Sequence, residues 1–130
     1  MGRVMILLLL ALGVGLYFQQ SRAVIFDTAQ PLLRPAYVWM TNQELRQIVS
    51  DLETHQESRG GLPTDRGEFD LWLDGRYPQE TSRIDAWGNR YRLTVTTSLF
   101  RVSSAGPDGT FDTTDDLIRE GQRVSGVRRR

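Results

Sequence analysis

Fifteen residues near the C-terminus constrain this chain more than any other stretch. They read Ser103-Ser104-Ala105-Gly106-Pro107-Asp108-Gly109-Thr110-Phe111-Asp112-Thr113-Thr114-Asp115-Asp116-Leu117. Gly106, Pro107 and Gly109 make the stretch a turn, because Gly supplies positive φ and Pro fixes φ. Four carboxylates, Asp108, Asp112, Asp115 and Asp116, share it with no basic residue. Such a cluster repels itself unless positive charge sits within it. Hard cations such as Ca²⁺ take about six to eight oxygens, from short carboxylates and loop carbonyls, so the loop is a candidate cation cage. It is not an EF-hand. Counted from Asp108, the acids fall at positions 1, 5, 8 and 9, Gly stands at 2 instead of 6, and Arg119 occupies position 12. The other reading is a solvated loop whose Asp side chains cap their own backbone. Spacing alone leaves both open.

The chain that leads into this loop carries its own signals. Asp85-Ala86-Trp87-Gly88-Asn89 reads as a tight turn, with Trp87 expected as a buried plug. Tyr91, Leu93 and Val95 then alternate with Arg90, Arg92, Thr94 and Thr96, as a half-buried strand does. Thr97-Ser98 turns the chain into a second strand, Leu99 to Ser103, which delivers it to the Asp loop. A two-stranded hairpin is marginal alone and needs a helix behind it. That helix is predicted from Thr41-Asn42-Gln43-Glu44, which reads as a capping box, followed by Leu45, Ile48, Val49 and Leu52 on one face. Glu68 to Leu73 supplies one or two further helical turns, whose Phe69 and Trp72 are expected to pack on the long helix.

With those residues in place, a resemblance can be stated. Ser104-Ala105-Gly106-Pro107-Asp108-Gly109, followed after a Thr-rich gap by Asp115-Asp116, resembles the C-terminal loop of the major pseudopilin of bacterial type II secretion. Asp85-Ala86-Trp87-Gly88-Asn89-Arg90-Tyr91 is similar to that family's Trp-Gly-Asn segment, and the two occur in the family's order. The resemblance covers residues 43 to 117. It implies a calcium site formed by the Asp108, Asp115 and Asp116 carboxylates, with main-chain carbonyls of Ala105, Thr110 and Thr113. Asp112 has no counterpart in that pattern. It also implies a non-enzymatic subunit, stabilised by calcium, that assembles with itself or with other pseudopilin-like subunits in protein export. Such a protein sits in the bacterial inner membrane by one helix, its C-terminal domain in the periplasm.

At the N-terminus, Arg3 precedes an unbroken apolar run from Val4 to Phe18. Fifteen residues of helix reach about 22 Å, short of the roughly 30 Å hydrocarbon core. Tyr17 and Phe18 stand where aromatics meet the interface, and Ala23-Val24-Ile25-Phe26 continues the apolar character. An uncleaved anchor is the expectation, with a secretory signal peptide ending near Ser21 and Ala23 as its rival. The pilin pattern of a leader and an early Glu is not matched: Gly2 precedes Arg3, and the first acid is Asp27. That departure keeps a second function in view, an anchored extracytoplasmic binding module that reuses the domain without filament assembly.

The expected fold is therefore α+β: an N-terminal membrane helix (1–26), a juxtamembrane linker (27–40) broken by Pro31 and Pro35, a pseudopilin-like globular domain (41–118) and a basic disordered tail (119–130). In that domain a long amphipathic helix packs on a small antiparallel sheet that ends in the calcium-binding loop. Other classes find little support. The chain has 16 basic and 16 acidic residues, so no net field favours nucleic acid. Without Cys there is no disulfide or thiolate site, and one His, His55, excludes a multi-histidine centre within one chain. No nucleophile–base pair or phosphate-cradling loop points to a small-molecule substrate.

Overall fold

The computed structural model describes residues 6, 19–59 and 61–124, with side chains for 6, 33–59 and 61–124. The chain divides into two units, Met1–Pro35 and Ala36–Arg130. Most of the expected membrane anchor (1–26) lies outside the described residues, as do residues 125–130 of the expected tail. Among the described residues, no helix is long and apolar enough to cross a membrane.

The expected linker is absent. Helix α1 runs Gln19–Arg59, so Pro31 and Pro35 do not end it. A proline removes one ladder bond and crowds the carbonyl four residues back, but the bonds on either side continue. The capping box is likewise overturned. Thr41 is an interior helical residue, fully buried, and its Oγ1 accepts the Ala86 N–H at 3.2 Å. Its hydroxyl ties the helix to the Trp turn.

The second unit holds the fold. On α1 the buried residues are Thr41, Leu45, Ile48, Val49, Leu52 and Gln56, a single stripe at helical spacing. Helix α2, Arg66–Arg76, adds Phe69 and Leu73. Asp65 caps it by accepting the Glu68 N–H at 2.8 Å, and the Glu68 carboxylate reaches back to the Thr64 N–H at 2.7 Å. This helix thus opens on a reciprocal cap related to a capping box, with the Glu68 carboxylate taking the N–H one residue before the N-cap. A short 3-10 turn, Glu80–Arg83, follows.

Three antiparallel strands complete the unit in the order β1 (Arg92–Val95), β2 (Leu99–Ser104), β3 (Leu117–Gln122). The hairpin is as the alternation predicts. The third strand is not, and it corrects the expected tail: Arg119–Gln122 pairs with β2. Phe100, Val102 and Tyr91 meet the α1 stripe, Phe69 and Leu73 to form the core. Each such apolar side chain contributes about 1.5–3 kcal/mol on burial. Trp87 is only half-buried and packs edge-on against Tyr37 at 6.0 Å, so it is no plug.

Polar contacts bind α1 to α2. Asp51 accepts the Tyr77 hydroxyl at 2.5 Å and two Arg76 nitrogens at 3.1 and 3.2 Å. Burial pushes the Asp51 carboxyl up, but the bonds from Tyr77 and Arg76 outweigh it and hold it below the usual carboxylate range. A carboxyl depressed in the folded state stabilises above its unfolded value, about 3.9, and loses that contribution as pH falls through the folded value. Asp51→Ala is therefore expected to cost about 1–2 kcal/mol at pH 7 and much less near pH 2. Urea melts at the two pH values check this; an equal loss at both would contradict it.

Candidate functional site

The site begins with the turn that carries Trp87. Asp85, 3% exposed, accepts the Trp87 N–H at 3.0 Å and the Asn89 N–H at 2.8 Å through Oδ1. Through Oδ2 it accepts the Ser104 hydroxyl at 2.6 Å, and Ser104 Oγ accepts the Gly106 N–H at 3.1 Å. Asn89 also reaches the loop, donating from Nδ2 to the Gly106 carbonyl at 3.1 Å. So the Trp turn, the end of β2 and the entrance to the Asp loop form one polar network. The shared order of the two motifs in the sequence has this physical counterpart. Sequence reading found the local Asp85 turn but not Ser104, whose signal was only its place at a strand end.

Within the loop, Gly106 has φ +66°, and a Cβ there would stand 2.4 Å from the Asp115 carbonyl oxygen. Only glycine lets the two ends of the loop approach this closely. Asp115 Oδ2 accepts the Asp108 N–H at 3.1 Å, and Asp116 Oδ2 accepts the Asp112 N–H at 2.8 Å. Asp108 Oδ1 accepts the Thr110 N–H at 2.8 Å. The Thr113 hydroxyl lies 2.6 Å from Asp115 Oδ1, 3.2 Å from Asp116 Oδ1 and 3.0 Å from the Thr110 carbonyl oxygen. Three oxygens converge on one hydroxyl that has one proton to give. Bonds from Thr113 and the Asp108 N–H hold the Asp115 carboxyl below the usual range.

Some of the expected ligand residues are neighbours. The Asp115 and Asp116 carboxylates and the Thr110 carbonyl meet at the Thr113 hydroxyl and not at the expected Thr113 carbonyl, which accepts the Asp116 N–H at 3.4 Å, and Asp108 joins them through its N–H rather than its carboxylate. Ala105 is buried at the loop entrance. Among the described residues, no three Asp, Glu, His or Cys side chains stand close enough to hold a metal as placed.

Asp112 behaves differently. It adopts φ +69° and pairs with Arg92 at 2.7 and 3.1 Å. That hydrogen bond lowers the Asp112 carboxyl. The Arg92 guanidinium also covers the Phe111 ring at 4.3 Å. Among the described residues, Asp108, Asp115 and Asp116 have no such ion pair.

Several acidic groups outside the loop are bound to arginines or to a tyrosine. Asp74 accepts Arg83 at 2.8 Å and Arg90 at 2.7 Å, and Asp70 lies 3.4 Å from Arg90. Glu44 accepts the Tyr91 hydroxyl, and burial raises its carboxyl. His55 stacks edge-on against Trp72 at 5.9 Å.

Compared with known proteins, the chain matches no family model, no curated protein and no solved structure.

Proposed function

We propose that the chain is a non-enzymatic, membrane-anchored protein similar to the type II secretion major pseudopilin, acting as a calcium-stabilised subunit or accessory in protein export. The observation that carries this reading is the distribution of countercharge in the Asp loop. Asp112, which the resemblance leaves unassigned, has its own arginine. Asp108, Asp115 and Asp116, which it assigns as ligands, have none among the described residues. The donor set fits a hard cation, being all oxygen, and three of its oxygens, from Thr110, Asp115 and Asp116, already meet at the Thr113 hydroxyl. Asp108, Asp115 and Asp116, with the carbonyls of Ala105, Thr110 and Thr113, would hold calcium. The ion would supply the positive charge that lets both ends of the loop stay together. In this reading Arg92 performs that service for Asp112, the one loop carboxylate it pairs with, while its charge also reaches Asp116. The N-terminal apolar run anchors the chain in the bacterial inner membrane, and the second unit stands in the periplasm.

Titration calorimetry of the full chain checks the ligand set. One calcium per chain is expected. Asp115→Asn and Asp116→Asn should each weaken binding by about tenfold or more, since ligand charge count sets affinity in such sites. Asp112→Asn should leave affinity within about twofold, because Arg92 already holds that carboxylate. No heat with the native chain, or equal losses in all three variants, would contradict the assignment.

A further inference from the structure

The two edges of the sheet are not equivalent. β1 contacts α2, whereas β3 ends the sheet on the other side. In the β2–β3 ladder Phe100 faces Gly121, Val102 faces Arg119 and Ser104 faces Leu117. The Arg123 N–H continues that series, donating to the Ser98 carbonyl at 3.1 Å. Antiparallel ladders alternate bonded and non-bonded pairs. Leu117, Arg119 and Gly121 therefore bond inward, and Ile118, Glu120 and Gln122 turn their main-chain groups outward.

Part of that outward edge is already filled. Gln56 of α1 donates from Nε2 to the Gln122 carbonyl at 2.6 Å, and its Oε1 accepts the Val124 N–H at 3.0 Å. Glu53 of α1 adds to this by accepting the Gln122 N–H at 3.4 Å, so two side chains of α1 take the place of a neighbouring strand's peptide groups. They cover only that end. Ile118, Arg119 and Glu120 are exposed, with Ile118 48% accessible. Among the described residues, no group bonds the N–H or C=O of Ile118 or Glu120.

We propose that the Ile118–Glu120 edge of β3 is a docking strip for an extended segment of another protein, bearing an acid opposite Arg119 and an apolar residue opposite Ile118. Charge selects this occupant. Glu120 is held by Arg101 across the ladder at 2.6 Å, while Arg119 has no ion pair among the described residues. A second copy fits poorly in the antiparallel registers centred on the exposed residues Ile118, Arg119 and Glu120. Centring on Arg119 sets two Arg119 side chains opposite each other, and centring on Glu120 sets two Glu120. Centring on Ile118 sets Glu120 against Asp116. Like charges directly opposite destabilise a pair. An acidic strand meets none of these conflicts and adds main-chain bonds along the edge.

The probe is the blocked peptide Thr-Thr-Glu-Val-Thr, which in antiparallel register places Glu opposite Arg119. It is titrated into the isotope-labelled full chain and followed by amide NMR. The control peptide carries Lys in place of Glu. The expected result is movement of the Ile118 and Glu120 amides, with the Glu peptide bound about fivefold more tightly than the Lys peptide. Arg119→Glu should invert that preference. Slow amide exchange at Phe100 and Val102 confirms that the variant keeps its sheet, since Arg119 bonds inward through its backbone alone. Unmoved edge amides, equal binding of the two peptides, or an unchanged preference in Arg119→Glu would overturn the proposal. So would concentration-dependent dimerisation of the native chain that moves the Ile118 and Glu120 amides, which would make a second copy the occupant.

Discussion

Replacing Asp85 with Ala is expected to lower the free energy of unfolding by about 3–4 kcal/mol. The carboxylate is 3% exposed and gathers donors from three places: the Trp87 and Asn89 main chain, the Asn89 side chain and the Ser104 hydroxyl. Removing it strands these donors where little water reaches, with Ser104 fully buried. A hydrogen bond to a charged group contributes about 1.5–3 kcal/mol, and an abandoned buried donor costs about 1–3 kcal/mol. The losses overlap because the donors share one acceptor group, so their sum is an upper bound. For a folded unit of this size, each kcal/mol moves the melting temperature by about 4–8 °C. A fall of about 15–25 °C follows. Asp85→Asn keeps an acceptor for Trp87 and Asn89 and turns an amide toward Ser104, whose oxygen can accept it. It should cost about 1–2 kcal/mol. Calorimetric melts of the two variants decide this. An Ala variant as stable as the native chain would show that the network at the loop entrance holds nothing together.

The second large effect lies at Gly121. It faces Phe100 across the ladder, and a Cβ at this position would sit 2.2 Å from the ring's Cζ and 2.6 Å from Cε1. Phe100 is fully buried in the core, so its ring cannot swing into water. Gly121→Ala must push the ring into its neighbours or bend β3 away, and such overpacking costs about 1–3 kcal/mol. Gly121→Val should exceed that range. Phe100→Leu alone should cost about 1–1.5 kcal/mol, as shape-changing apolar swaps do. Combined with Gly121→Ala it should cost less than the sum, because a shorter side chain leaves room for the methyl. A coupling energy of at least about 0.5–1 kcal/mol in the double-mutant cycle is the expected reading. Strict additivity would mean that the contact between ring and glycine is not what limits this position.

The same glycine explains why the third strand is hard to find in the sequence. Leu117-Ile118-Arg119-Glu120-Gly121-Gln122 has no apolar alternation, and its only buried residue is Gly121. The core face of β3 is filled from β2, by Phe100 lying over it, so its own side chains carry no signal. The helix stripe at Leu45, Ile48, Val49 and Leu52 is legible because those residues pay their own way in the core, and the β1–β2 hairpin because Tyr91, Phe100 and Val102 do as well. Pro31 and Pro35 mislead for another reason. Their effect is local, one bond each, while the decision between helix and linker belongs to the whole segment. Thr41 misleads because a buried threonine within a helix looks, in sequence, like one at its start.

In the Asp loop, spacing predicts the turn, and Gly106 and Gly109 do take positive φ. It does not predict the split between Asp112 and its neighbours. That split depends on Arg92 lying within reach of residue 112, a contact between residues twenty apart. Arg92 pairs with Asp112 and with none of Asp108, Asp115 or Asp116.

The measurement that bears most directly on a calcium-held loop is the melting temperature of the full chain, with the metal removed by chelator and then restored. At calcium one hundred times its dissociation constant, binding to the folded state alone adds about 2.7 kcal/mol. That corresponds to a rise of about 10–20 °C for a unit of this size. Asp115→Ala should abolish the rise, while Arg92→Ala should keep it on a lower baseline. A native chain whose melting temperature is the same with chelator and with millimolar calcium would contradict the account.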